Sequence, residues 1–359
     1  MLRLPKLTSL QLTSLLLLLS MGLPSRAQLS KADSLAQVID HYPANDTTKM
    51  NRMVLLAKML AYSDPSRGMK IIDAEMPAAR QLNFKKGILE GYNVKSSLYF
   101  LQGNREQAQA VAEEYLQTAT RYSDKPNEIV ANSLLGILNS QSGNYAKALE
   151  YMLRSLKLAE EVGDKSKLAA LNQNLGNVYN DMEDYDRAIA DYSEAIRVDP
   201  QYAVAYSNRG LAYANKKDYD RAIKDLDGAI RMDPDNAPAY DDRGWTFSRK
   251  KQYDRAIADY NEAVRLDPKF ARAYGNRCSA YREKRELDRA IADCDDAIRL
   301  DPKLAFAYNN RGNVYFDKKS YDRAIADYDE AIRLDPTLTV ASDNRRNALR
   351  DKAAAGQKH

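Results

Sequence analysis

The dipeptide Asp-Pro recurs at Asp199-Pro200, Asp233-Pro234, Asp267-Pro268, Asp301-Pro302 and Asp335-Pro336, each pair 34 residues after the last. A period of that length forces the chain to be read as copies of one supersecondary unit. The unit from Ala203 to Pro234 carries two stretches of helical apolar periodicity separated by a polar turn. This predicts a helical hairpin. Gly and Ala positions let two helices approach closely, Tyr and Leu positions fill the gap, and Pro closes the second helix by withholding an amide donor. Such a hairpin buries its face only against its neighbours, so the expected fold is all-α: one continuous right-handed solenoid with a concave and a convex side.

The Gly of Asn208-Arg209-Gly210 recurs as Gly244, Cys278 and Gly312 and, upstream, as Gly176. Before Gly176 the step becomes 40 residues, through Gly136, Ser96 and Leu56, each followed twelve residues on by Ala148, Ala108 or Gly68. About eight hairpins are therefore expected, three long and degenerate over 49–168 and five regular over 169–338. The extra residues of the long step should lengthen the second helix and its connection. One capping helix is expected over 28–48, and a C-terminal capping helix with a frayed tail over 339–359, because an open stack must cover its last apolar face. The pattern resembles the tetratricopeptide repeat over nearly all of 28–359, most strongly over 169–338. The upstream step is similar to the 40-residue variety common in exported or sensory bacterial proteins. The resemblance implies a protein that holds other proteins together.

Residues 1–27 read as a secretory signal peptide: Arg3 and Lys6, an apolar run around Leu15 to Leu19, then Ser25-Arg26-Ala27 before the expected cut. The apolar run is too short and interrupted for a comfortable membrane span, and no later segment is apolar enough to cross one. A periplasmic or secreted product follows. The leader holds three basic residues and no acid, so the formal charge falls from +4 to +1 without it, and a nucleic-acid partner loses its electrostatic premise. The two His stand at His41 and His359, and no Walker loop, nucleophile elbow or zinc-spaced Cys pair occurs. The expectation is no enzyme, no cofactor and no metal.

The repeated Tyr slots, such as Tyr206, Tyr240, Tyr274 and Tyr308, follow the helical period and read as packing residues. The Arg before each Gly (Arg209, Arg243, Arg277, Arg311) and Arg345 match five Asp of the second helices (Asp191, Asp225, Asp259, Asp293, Asp327). Pairing each Asp with the Arg of the next hairpin leaves no orphan, so five inter-repeat ion pairs starting at Asp191–Arg209 are expected. Cys278 replaces the Gly and Cys294 the second-helix Tyr of one hairpin. They read either as one disulfide or as two buried small hydrophobes.

Residues that do not serve packing should mark the recognition surface. Two before the Gly stand Asn174, Asn208, Asn276 and Asn310, with Asp242 in the remaining hairpin. The resemblance implies that this slot lies on the inner face, where an Asn column can hold an extended peptide by its main-chain amides, each side chain offering both donor and acceptor. Asn177, Leu211, Trp245, Ser279 and Asn313 follow the Gly and should share that face, with Trp245 as an aromatic anchor and Leu211, Phe306 and Phe316 as an apolar strip. The carboxylate clamp of the chaperone-tail version is not supported, since Ser207, Asp241, Gly275 and Asn309 fill its slots and Arg272 is a lone base. The expected function is an exported adaptor binding a protein or extended peptide in the concave groove. The alternative is a glycan or cell-wall strand in the same groove.

Overall fold

The Asp-Pro pairs punctuate the chain through backbone sterics. A residue before Pro is driven out of the helical region, and Asp199 is accordingly extended, with φ −131° and ψ 96°. Asp267, Asp301 and Asp335 adopt nearly the same conformation. Each of these four carboxylates then accepts the amide two residues on, from Gln201, Lys269, Lys303 and Thr337, which closes the turn into the next hairpin.

The computed structural model describes residues 26–356. Eighteen helices occupy them, and no strand occurs among the described residues. The leader expected over 1–27 lies, up to residue 25, outside the described residues. The chain divides into two units at Tyr202 and Ala203. The first holds α1 (Arg26–Asp40), α2 (Thr47–Leu60), α3 (Pro65–Gln81), α4 (Lys85–Leu101), α5 (Arg105–Arg121), α6 (Lys125–Gln141), α7 (Tyr145–Val162), α8 (Lys165–Asp181) and α9 (Tyr185–Val198). The second holds α10 (Ala203–Asn215), α11 (Tyr219–Met232), α12 (Ala237–Arg249), α13 (Tyr253–Leu266), α14 (Ala271–Glu283), α15 (Leu287–Leu300), α16 (Ala305–Asp317), α17 (Tyr321–Leu334) and α18 (Thr339–Gly356). In the second unit, successive helices pack as antiparallel pairs, and the first helices of neighbouring hairpins also touch directly.

The 40-residue step differs from its expectation. In the regular hairpins of the second unit the two helices have 13 and 14 residues. In the long hairpins α4/α5 and α6/α7 they have 17 and 17, and 17 and 18. Both helices lengthen, by about one turn each, and the connection does not. A full turn preserves the face each helix presents, which a longer loop would not require.

The Gly positions are explained by one contact. A Cβ built on Gly176 would lie 2.6 Å from Tyr192, and one on Gly312 would lie 2.7 Å from Tyr328. Tyr192, Tyr260 and Tyr328 are fully buried in these slots. In the α14/α15 hairpin the Gly–Tyr partnership is replaced by a disulfide between Cys278 and Cys294, with Cα atoms 5.5 Å apart and both residues fully buried. Of the two readings left open by the sequence, the covalent one holds.

The expected ion-pair register is corrected. Arg209, Arg243, Arg277 and Arg311 pair within their own hairpins, with Asp225, Asp259, Asp293 and Asp327, at 2.6–2.9 Å and in bidentate geometry. The remaining guanidinium nitrogen reaches back to the preceding hairpin, but to the residue two beyond the expected Asp: Arg243 to Asp227, Arg277 to Asn261 and Arg311 to Asp295. Arg345 pairs with Asp329. Arg243, Arg277 and Arg311 thus serve both links, because a planar fork offers donors on two edges.

Candidate peptide-binding face

The first helices α14 and α16 place the recurring Asn slot against the preceding first helix, and there the slot is used within the protein. Asn276 donates from Nδ2 to Asp241 Oδ1 at 3.0 Å, and Asn310 donates to the carbonyl of Gly275 at 3.0 Å. Asn344 of α18 continues the row by donating to Asn309 Oδ1 and to Asn313 Oδ1. In the first unit Asn174 is buried and directs Nδ2 to Ser133 Oγ at 3.5 Å. Asn208 is buried as well. The carbonyl oxygens of Asn276 and Asn310 take no hydrogen bond among the described residues.

Asp242, the exception in this slot, belongs to a buried cluster. Arg272 sits 2.7 Å from Asp241 and 2.9 Å from Asp242. Burial pushes the Asp242 carboxyl up to about 6, with Arg272 pulling the other way. Asp241 is also raised by its burial, against the pull of Arg272 and of the Asn276 amide. The base that stood alone in the sequence is therefore committed to two carboxylates one hairpin upstream, an arrangement that needs Asp241, Asp242 and Arg272 together.

The slot after the Gly is divided. Leu211 is buried, whereas Trp245, Ser279 and Asn313 are half-buried. Trp245 lies under Arg249, with the guanidinium carbon 5.9 Å from the ring. Asn177 and Asn313 accept hydrogen bonds from the hydroxyls of Tyr192 and Tyr328, each at 2.8 Å. Sequence reasoning missed this fastening, although its signal is present: Asn follows the Gly only in hairpins that carry Tyr fifteen residues later. Phe306 packs over Gly275, where a Cβ would come within 2.6 Å of the ring. Phe316 stacks edge-on against Tyr321 at 5.7 Å. Among the described residues no group of His, Cys, Asp and Glu is arranged to hold a metal, and no helix is long and apolar enough to cross a membrane.

A repeated helical hairpin in which a small residue of the first helix meets a large side chain of the second, and a row of side chains joining consecutive first helices, define a helical-repeat protein. Family models described as tetratricopeptide repeats match residues 88–161, 176–217, 203–236, 242–305 and 305–338. The chain belongs to the tetratricopeptide repeat proteins. A crystal structure of a tetratricopeptide repeat protein from Parabacteroides merdae is similar at TM-score 0.57 and 19% identity, covering 73% of this chain and 98% of that one. YrrB, described as a TPR protein with an unusual peptide-binding site, matches at TM-score 0.40 and 23% identity, over 52% of this chain and 97% of its own. MamA matches at TM-score 0.39 and 25% identity, over 45% and 95% respectively. No curated protein matches the chain by sequence.

Proposed function

We propose that this protein is an exported interaction scaffold that holds a protein segment or extended peptide against the first-helix face of residues 203–338, acting by geometry and not by chemistry. The observation that carries the reading is the row formed by Asn276 and Asn310. Their Nδ2 groups are anchored on the preceding helix, which fixes each amide plane, and their Oδ1 atoms are left as acceptors for the N–H groups of a bound chain. Trp245, half-buried on the same series of helices, supplies the aromatic contact that concentrates binding energy. Membership of a repeat family that serves as interaction scaffolds supports this at the level of class. Export is supported by the leader-like residues 1–27 and by the Cys278–Cys294 disulfide, a bond that persists in oxidising compartments.

A photo-crosslinking residue introduced at Ser279, beside Trp245 in the series, tests the binding reading. Covalent capture of one protein species from envelope extracts, reduced at least tenfold by Trp245→Ala combined with Asn310→Ala, is the expected result. Retention on purified cell-wall polymer with no protein adduct would transfer the face to the glycan alternative. Export is checked separately, by N-terminal sequencing of the mature product, which should begin at Gln28.

A further inference from the structure

The turns that join the two helices of each hairpin in the second unit carry a feature unrelated to the first-helix face. Lys217, Lys251 and Lys319 stand at φ 66°, 60° and 60°, with Arg285 at 64° in the remaining turn. The left-handed region costs an L-residue about 1 kcal/mol or more, and the turns at Gly103 and Gly143 in the first unit use glycine there. Nothing in the fold requires lysine at these positions.

The charges around these turns are not balanced. Asp220, Asp254 and Asp288 each pair with the lysine of the next turn, namely Lys250, Lys284 and Lys318, which ties consecutive turns into one edge. The other carboxylates of the edge are also paired, by arginine or lysine. The cations are in excess. Lys217, Lys251, Arg255, Lys319 and Arg323 have no carboxylate partner among the described residues. All five are exposed; Arg255 and Arg323 lie over the rings of Phe247 and Tyr315, and the three lysines present their charge outward.

We propose that this edge docks the protein on a membrane surface bearing anionic lipid headgroups. Lysines on flexible stems at exposed turns suit a delocalised, laterally mobile negative surface better than a ligand held in one pose. No large apolar side chain of residues 203–338 is exposed, so the contact is electrostatic, without insertion, and is released by salt. It lies outside the first-helix face, and a scaffold so docked keeps that face available.

The test uses the full chain and cosedimentation with vesicles of phosphatidylcholine, alone or with about one third phosphatidylglycerol. The protein is expected to bind only the anionic vesicles at low ionic strength and to leave them when salt is raised. The triple variant Lys217→Gly, Lys251→Gly, Lys319→Gly should bind on the order of a hundredfold more weakly, about fivefold per lysine. Glycine relieves the left-handed backbone, so the same variant should melt no lower than the parent. Trp245→Ala should leave vesicle binding unchanged. Absence of binding to anionic vesicles at low salt, equal binding by the triple variant, or displacement by soluble polyglutamate at charge equivalence would each overturn the membrane assignment, the last in favour of an acidic polypeptide.

Discussion

Asp191 has no guanidinium partner of the kind its counterparts have, because Leu175 stands where the other hairpins carry Arg. Its Oδ2 is buried without a hydrogen bond, and burial pushes the carboxyl up to about 6 from an ordinary 3.8, with Arg187 opposing. A folded-state pKa above the unfolded one means that the native state holds the proton more tightly. Stability is then greatest below pH 4 for this group and is lost as the pH rises through 4 to 6. Asp191→Asn removes that slope and should be more stable than the parent by about 2 kcal/mol at pH 7, with no difference near pH 4; urea midpoints at both pH values check it. Glu75 in the first unit follows the same rule over a higher window. Both its oxygens are buried without partners, and burial, reinforced by Glu90, raises it from 4.5 to about 7. Glu75→Gln should therefore gain stability relative to the parent only above about pH 5, reaching its full gain above pH 7. The ion pairs show how an orphan-free count in the sequence reached the wrong register: the native structure tolerates one buried unpaired Asp, and Arg345 finds Asp329 instead. Among the pairs that do form, exposure decides the magnitude. Asp327, 8% exposed at its side chain, should cost about 2 kcal/mol when changed to Asn. Asp295, 51% exposed and bound to the same Arg311, should cost under about 1 kcal/mol, and thermal melts of the two variants will rank them.

At the level of the element, the hairpin α14/α15 shows that one packing problem has two solutions. Its neighbours fill the space above a Gly with a Tyr or Leu from the second helix, whereas here Cys278 and Cys294 fill it covalently. The exchange removes a ring and, with it, the hydroxyl that fastens Asn177 and Asn313 elsewhere. A bridge closing a segment of 16 residues contributes about 3 kcal/mol through the unfolded chain. The double variant Cys278→Ser, Cys294→Ser should lose about that much and also leave polar groups in a closed slot. Cys278→Gly with Cys294→Tyr rebuilds the neighbours' contact and should recover more than half of the loss, an ordering that melting curves without reductant will test. If the two variants melt together, the slot is not interchangeable between hairpins. The helix lengths carry a related lesson. A six-residue insertion is legible in the sequence as an insertion, but its distribution over both helices follows from the need to keep each apolar stripe in phase, which only packing reveals.

Across the whole chain, the fold was legible because a period of 34 residues repeats the local decisions: Pro ends the second helix, the small residue marks the crossing, and Asp closes the turn. The face was legible only in part. Spacing places the Asn slot on the first helices, but whether its amide is used between hairpins depends on the partner one hairpin upstream, a carboxylate at Asp241 and a bare carbonyl at Gly275. The buried trio of Asp241, Asp242 and Arg272 was hidden for the same reason, since it joins residues 30 and 31 positions apart that have no local relation. Stability of such a stack is carried by each hairpin together with its interfaces to its neighbours, which makes the end of the chain informative. In the second unit α18 covers the last hairpin: Ala348 packs with Ala324 and Tyr328, while Leu338 and Ala341 pack with Ala331. Truncation after Pro336 uncovers Tyr328, Ala324 and Ala331 and leaves Asp329 without Arg345. The truncated protein should lose amide protection most in α16 and α17 and progressively less toward α10, as measured by hydrogen exchange on the full chain and the truncation side by side. A uniform loss across residues 203–336 would show that this unit melts as one block, and the nearest-neighbour account of its stability would fail.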